Sequence, residues 1–193
     1  MTTKNFLKLE VLLRIPGLIL LVIFFLTQTA HCQNWVEERT YVSNGTTTPR
    51  VDGLFTHPLH RNLGTFVWFQ VQQDYSQAYG GITYAPTSWI QFALGLGLEQ
   101  YRQPARVGSY VWMGKGKCSA LAVFEYGGSG FWYKVEGNFQ ITKTLGLGVN
   151  LEHFRGGGPK VEYSVPRTHV KFWFSPMVLN GSVRPLVGIR YSL

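Results

Sequence analysis

Seven polar side chains recur at alternate positions in the C-terminal two thirds of the chain: Glu99, Lys134, Glu136, Asn150, Glu152, Lys171 and Arg190. Each stands opposite a row of leucine, valine or aromatic residues in a segment of period two, so β-strands would collect them on one face of a sheet. Gln70, Gln91 and Arg184 share that face. Carboxylates and cations gathered there in near balance pair with one another, and in a low-dielectric interior such pairs fill space instead of doing covalent chemistry. The residue types that could do catalysis lie elsewhere. They are Asp52, His57 and His60, ahead of residue 63, and His153 beside Glu152. A general base must lie within hydrogen-bond reach of the proton it takes, and this spacing does not supply that geometry. His57 and His60 offer two imidazoles to a metal, but no cysteine pair or nearby carboxylate cluster completes a tetrahedral site. No metal or cofactor is expected.

Two glycine patterns fail on context. Gly95-Leu96-Gly97 and Gly146-Leu147-Gly148 resemble half of a dinucleotide fingerprint, yet each sits inside a strand with no helix after it, where glycine makes room for a bulky neighbour. Gly127-Gly128-Ser129-Gly130-Phe131 lacks the closing glycine of a nucleophile elbow.

The elements that must position the polar face are read from the alternation. Ile90, Phe92, Leu94, Leu96 and Leu98 oppose Gln91, Ala93, Gly95, Gly97 and Glu99. Leu145, Leu147, Val149 and Leu151 oppose Gly146, Gly148, Asn150 and Glu152. The resemblance between residues 94–102 and 145–155 is a weak internal repeat. The spacing predicts about eight strands, over 63–73, 77–86, 89–101, 117–126, 130–139, 143–154, 163–175 and 183–193. Segments 35–42 and 107–113 are further candidates that would raise the number to ten. Turn clusters at 74–77, 85–88, 127–130, 156–159 and 180–182 separate the runs. Asn44-Gly45-Thr46 and Asn180-Gly181-Ser182 fit the glycosylation acceptor pattern, but Asn-Gly is also a favoured hairpin turn. No stretch after residue 33 has a helical period, so parallel sheets built on crossover helices are not expected. The fold class is all-β, an antiparallel up-and-down meander.

Period two alone does not say which face is inside. Composition does. Of 193 residues 45% are apolar and only 15% charged, a charge deficit that fits a sheet with an apolar outer surface. The apolar face runs on through several strands, and segments 89–99 and 144–154 have the nine to eleven residues, roughly, that a lipid-spanning strand needs. Tyr84, Trp89, Tyr101, Tyr110, Trp112 and Phe154 fall close to strand ends, where interfacial rings belong. The net charge of +8 is dispersed, with no run of Lys or Arg, so nucleic acid is not an expected partner.

The N-terminus carries an expected export signal over residues 1–32: Lys4, Lys8 and Arg14, then the unbroken apolar run at 18–26, then small residues ending near Ala30 and Cys32. Nine apolar residues are too few to cross a bilayer as a helix. Cleavage after Cys32 leaves Cys118 alone, with no internal disulfide. The expected organisation is therefore a signal at 1–32, an N-terminal segment at 33–62 and a barrel at 63–193.

From residue 63 onward the chain resembles the small Gram-negative outer-membrane meander barrels: a signal, alternating strands and a last strand running to the terminus. Gly188, Tyr191 and Leu193 match the spacing of that family's assembly signal, although Leu193 stands where an aromatic residue commonly closes the chain. The resemblance implies a transmembrane β-barrel in the outer membrane, with lipid and the insertion machinery as partners and an unknown partner outside. Its role would be structural or surface-interacting, without catalysis, and carried by loops near 44–62, 102–116 and 176–182. Two other readings are an enzyme acting on lipid or peptide at the barrel rim, and a secreted soluble barrel that turns its leucines inward around an apolar ligand.

Overall fold

A computed structural model describes residues 34–43 and 45–193; the expected export signal lies outside the described residues. Twelve antiparallel strands follow one another: β1 (Trp35–Ser43), β2 (Thr46–His60), β3 (Leu63–Gln72), β4 (Tyr75–Thr87), β5 (Ile90–Glu99), β6 (Ala105–Lys115), β7 (Cys118–Gly127), β8 (Gly130–Gln140), β9 (Leu145–Glu152), β10 (Gly156–Ser164), β11 (Val170–Leu179) and β12 (Ser182–Ser192). Each pairs with its sequence neighbours, and β1 pairs with β12 to close the ring. The closing seam runs from Trp35 opposite Ser192 to Tyr41 opposite Leu186.

The fold class agrees with the alternation, but the strand number does not. The barrel has twelve strands, not eight or ten, and starts at Trp35 instead of residue 63. Both further candidates at 35–42 and 107–113 are strands. Two more were hidden by their composition. β2 carries Pro49, Gly53 and Pro58, which read as loop, yet it pairs along most of its length with β1 and β3. β10 opens on Gly156-Gly157-Gly158-Pro159, a turn signal by composition that here is a strand. A Cβ at Gly158 would run into the Pro176 carbonyl of β11, so glycine lets the two backbones approach. The predicted strand at 163–175 is in fact the end of β10, a turn and the start of β11.

The expected functional loops are also corrected. Segments 44–62 and 102–116 are mostly β2 and β6, and 176–182 holds only the tight turn at Asn180 and Gly181. That turn has positive φ at both residues, the hairpin geometry that Asn-Gly favours. No connection among the described residues exceeds five residues.

Leu94, Leu96, Leu98, Leu147, Val149, Phe172, Phe174, Val187 and Ile189 lie exposed on the outer surface. The reading with leucines turned inward around a ligand is thereby overturned. Among the expected interfacial rings, Tyr84, Trp89, Tyr101 and Phe154 are exposed as anticipated. Tyr110 and Trp112 are not: both face the interior from β6, where Tyr110 is fully buried.

The interior beside β3 to β7 is packed with rings. Phe66 meets Tyr110 edge-on at 5.2 Å and Tyr79 at 6.0 Å, Trp68 stacks on Tyr79 at 6.3 Å, and Trp35 meets Trp68 edge-on at 5.5 Å. Glycines in the facing wall provide the room. A Cβ at Gly95 would strike Phe66, and one at Gly108 would fall on the Tyr79 ring. Replacing Gly108 by Val should therefore displace Tyr79 and cost about 1–3 kcal/mol. Thermal unfolding in detergent micelles checks this, and an unchanged midpoint would show that the ring can move aside freely.

Candidate functional site

A small barrel has little room on its axis, and this one fills it with charge. Alternation sends the inward positions of β1, β2, β8, β9 and β10 toward a common centre: Glu37, Arg39, Arg50, Asp52, Lys134, Glu136, Asn150, Glu152, Lys160 and Glu162 are all buried. Of the nine acidic residues after Asn34, seven are buried in the interior, and only Glu38 and Asp74 are not. Carboxylates this far from water persist only with cations beside them.

Arg39 sits at the middle. Its Nε lies 2.9 Å from Asp52 Oδ2, its Nη2 bonds Glu37 and lies 3.5 Å from Glu136 Oε1, and its Nη1 lies 3.5 Å from Glu152 Oε2. These contacts cross the barrel, from β1 to β8 and β9. Arg50 makes a second crossing, donating from Nη1 to Glu152 Oε1 at 2.8 Å while its Nε lies 3.1 Å from Asp52. Glu136 gathers four cations: Arg39, Lys134 at 2.5 Å, Arg190 at 3.1 Å and Lys160 at 3.6 Å. Arg190 also donates to Glu37 across the closing seam at 2.6 Å, and Trp173 Nε1 donates to the same carboxylate at 2.9 Å.

A second group lies between β4 and β7, toward the end opposite the termini. Arg106 bridges Glu99 and Glu125, each at 2.8 Å. Tyr75 donates to Glu99 at 2.7 Å and Tyr79 to Glu125 at 2.9 Å. Ser129 donates to Glu99 from its hydroxyl at 2.5 Å and from its backbone at 2.9 Å.

The seven residues singled out by parity thus divide. Lys134, Glu136, Glu152 and Arg190 belong to the group around Arg39. Lys171 joins it through Glu162, to which it donates at 2.9 Å, and Lys160 lies 3.3 Å from that same carboxylate. Glu99 belongs to the separate group around Arg106. Asn150 is buried among the charges, but its amide makes no hydrogen bond to the described residues. Sequence reasoning missed Arg39, Arg50, Lys160 and Glu162, and offered Asp52 as a catalytic candidate instead of a lumen residue, because the periodicity marks their segments as optional strand, loop or turn. Glu125 was missed because the parity of β7 is blurred: the inward Leu121 and Val123 are apolar while the outward Ala120 and Ala122 are small.

The catalytic candidates do not assemble. Asp52 is bound inside between Arg39 and Arg50, whereas His57 and His60 lie at the far end of β2, toward the barrel end that holds the termini. His153 lies on the outer face of the turn after β9, with Nδ1 3.0 Å from the Phe131 carbonyl and its ring stacked on Tyr133. Among the described residues no cluster of His, Cys, Asp and Glu is arranged to hold a metal.

Three hollows reach inward from the ends. At the terminus end, one of about 200 Å³ descends past Trp35 and Asn138 to Glu136 and Arg190. At the opposite end, one of about 250 Å³ descends past Tyr75 and Phe154 to Glu152 and Arg50. A third, of about 490 Å³, opens between the β2–β3 and β4–β5 hairpins and is lined by Thr56, Thr83, Gln91 and Trp112.

No protein-family model and no curated relative matches this sequence. Solved structures do. The chain is similar to a structure titled KdgM porin, at 16% identity and a TM-score of 0.58, over 82% of this chain and 99% of that one. It is similar to the outer membrane phospholipase A from Escherichia coli at 9% identity and 0.54, over 87% and 92%. It is also similar to the Acinetobacter baumannii outer membrane protein Omp33 at 8% identity and 0.54, over 84% and 98%. At these identities the likeness is one of fold. The fold is that of the outer-membrane β-barrels.

Proposed function

We propose that this chain is a small integral outer-membrane β-barrel protein, non-catalytic, with a structural or surface-interaction role and a lumen closed by its own ion pairs. The observation that carries this reading is the inversion of polarity. Leucine, valine and phenylalanine cover the outside of the closed ring while seven carboxylates and their cations crowd the axis, the arrangement a sheet needs when its surroundings are acyl chains. An even strand number puts Trp35 and Ser192 on one side, the periplasmic side in a bacterial barrel of this type. The groups around Arg39 and Arg106, together with the packed rings, occupy the lumen and tie opposite walls together.

The test is fractionation of the expressed protein, joined to gel migration with and without heating. The expected result is recovery in the outer-membrane fraction, dependence on detergent, and a folded band that shifts on boiling. A monomer that stays in buffer without detergent would overturn the proposal. Mass spectrometry of the N-terminus in the same preparation tests the expected cleavage near Cys32.

A further inference from the structure

Two of the hollows face each other along the axis. The one from the terminus end stops at Glu136, and the one from the opposite end stops at Glu152. One buried side chain touches both carboxylates: Arg39, through Nη2 to Glu136 and Nη1 to Glu152. The third hollow has no such counterpart, because Phe66, Tyr110 and Tyr79 fill the interior beside it.

We infer that Arg39, whose guanidinium bridges Glu136 and Glu152 beside Lys134, is the neck of a closed passage between two polar vestibules, and that removing this side chain joins them into a path for small ions. The walls on both sides are already polar, lined by Arg190, Lys171 and Asn138 toward the termini and by Gln70, Gln77 and Arg106 toward the other end. An ion passing the neck would therefore keep polar groups around it. The lattice of charges would also survive the loss. Each of the four carboxylates that Arg39 touches keeps another cation: Glu37 keeps Arg190, Asp52 keeps Arg50, Glu136 keeps Lys134, Lys160 and Arg190, and Glu152 keeps Arg50 and Arg155.

The inference rests on the barrel spanning a membrane. Its experiment is conductance of the refolded full chain in planar bilayers bathed in potassium chloride, for the wild type, Arg39→Ala and Arg39→Met. The wild type should stay closed or flicker briefly. Arg39→Ala should raise the steady conductance at least tenfold, and Arg39→Met, which refills most of the volume without charge, should stay closer to the wild type. If Arg39→Ala shows the heat-shifted band of a folded barrel and conducts like the wild type, the neck is not at Arg39. A wild type that conducts steadily overturns the closure. Failure of the wild type to insert at all defeats the membrane reading, not this one alone.

A second measurement does not need Arg39→Ala to fold. In a Cys32→Ser, Cys118→Ser background, Asn138→Cys and Gln72→Cys place a thiol in each vestibule, to be probed in proteoliposomes with a membrane-impermeant cationic methanethiosulfonate. Each thiol should react only from its own side. Reaction of either from both sides overturns the closed neck.

Discussion

Replacing Glu136 by Ala should lower the stability of the barrel by about 3–5 kcal/mol, the range seen when one member of a buried ion pair is removed and its partners are left behind. Glu136 is 2% exposed and faces Arg39, Lys134, Lys160 and Arg190. Without it, Lys134 has no other carboxylate within salt-bridge distance among the described residues, and four cations on the axis repel one another. Lys160 retains Glu162, Arg190 retains Glu37, and Arg39 retains Glu37, Asp52 and Glu152, so the loss falls chiefly on Lys134. Unfolding by guanidinium in micelles, followed by tryptophan fluorescence, measures the change. A variant as stable as the wild type would mean that water enters the lumen and solvates these cations, and the lumen would then be open.

The second large effect is on the other face. Leu96 stands in the middle of β5, 75% exposed, flanked on the adjacent strands by Gly80 and Val107. Arginine there should cost about 2–4 kcal/mol if the position lies near the bilayer midplane, and the yield of folded protein in lipid vesicles should fall well below that of Leu96→Ala. In a water-soluble barrel the same change would place a charge in solvent and leave stability unaltered. The two substitutions therefore probe the two halves of one proposition, charge within and hydrocarbon without.

Much of this was legible in the sequence, and the failures have local causes. β5 and β9 were readable because strict alternation of leucine with glycine, asparagine or glutamate leaves no other period. β2 and β10 were not, because proline and glycine mark both turns and barrel strands where backbones approach closely or an amide is not needed. β6 was read as a further candidate, yet Tyr110 and Trp112 were assigned to the membrane interface. Aromatic residues suit a lipid interface and a packed lumen equally, and only the strand's register against Ala93 and Gln91 turns them inward. The same limit explains the site. Parity put Glu136 and Glu152 on one face, but their shared neighbour Arg39 comes from a strand about a hundred positions away, and no local pattern joins them.

The ring is completed by pairing residues 35–41 with 186–192, the earliest and latest parts of the described sequence. Until that last ladder forms, β1 and β12 each present a raw edge of unpaired amides, which hydrocarbon does not tolerate. Arg190 arrives with the same final strand and adds its cation to those already beside Glu37 and Glu136. Circular completion and the docking of Arg190 are thus a single event, so a chain cut short of β12 would be left unzipped, with no closed ring to rest in.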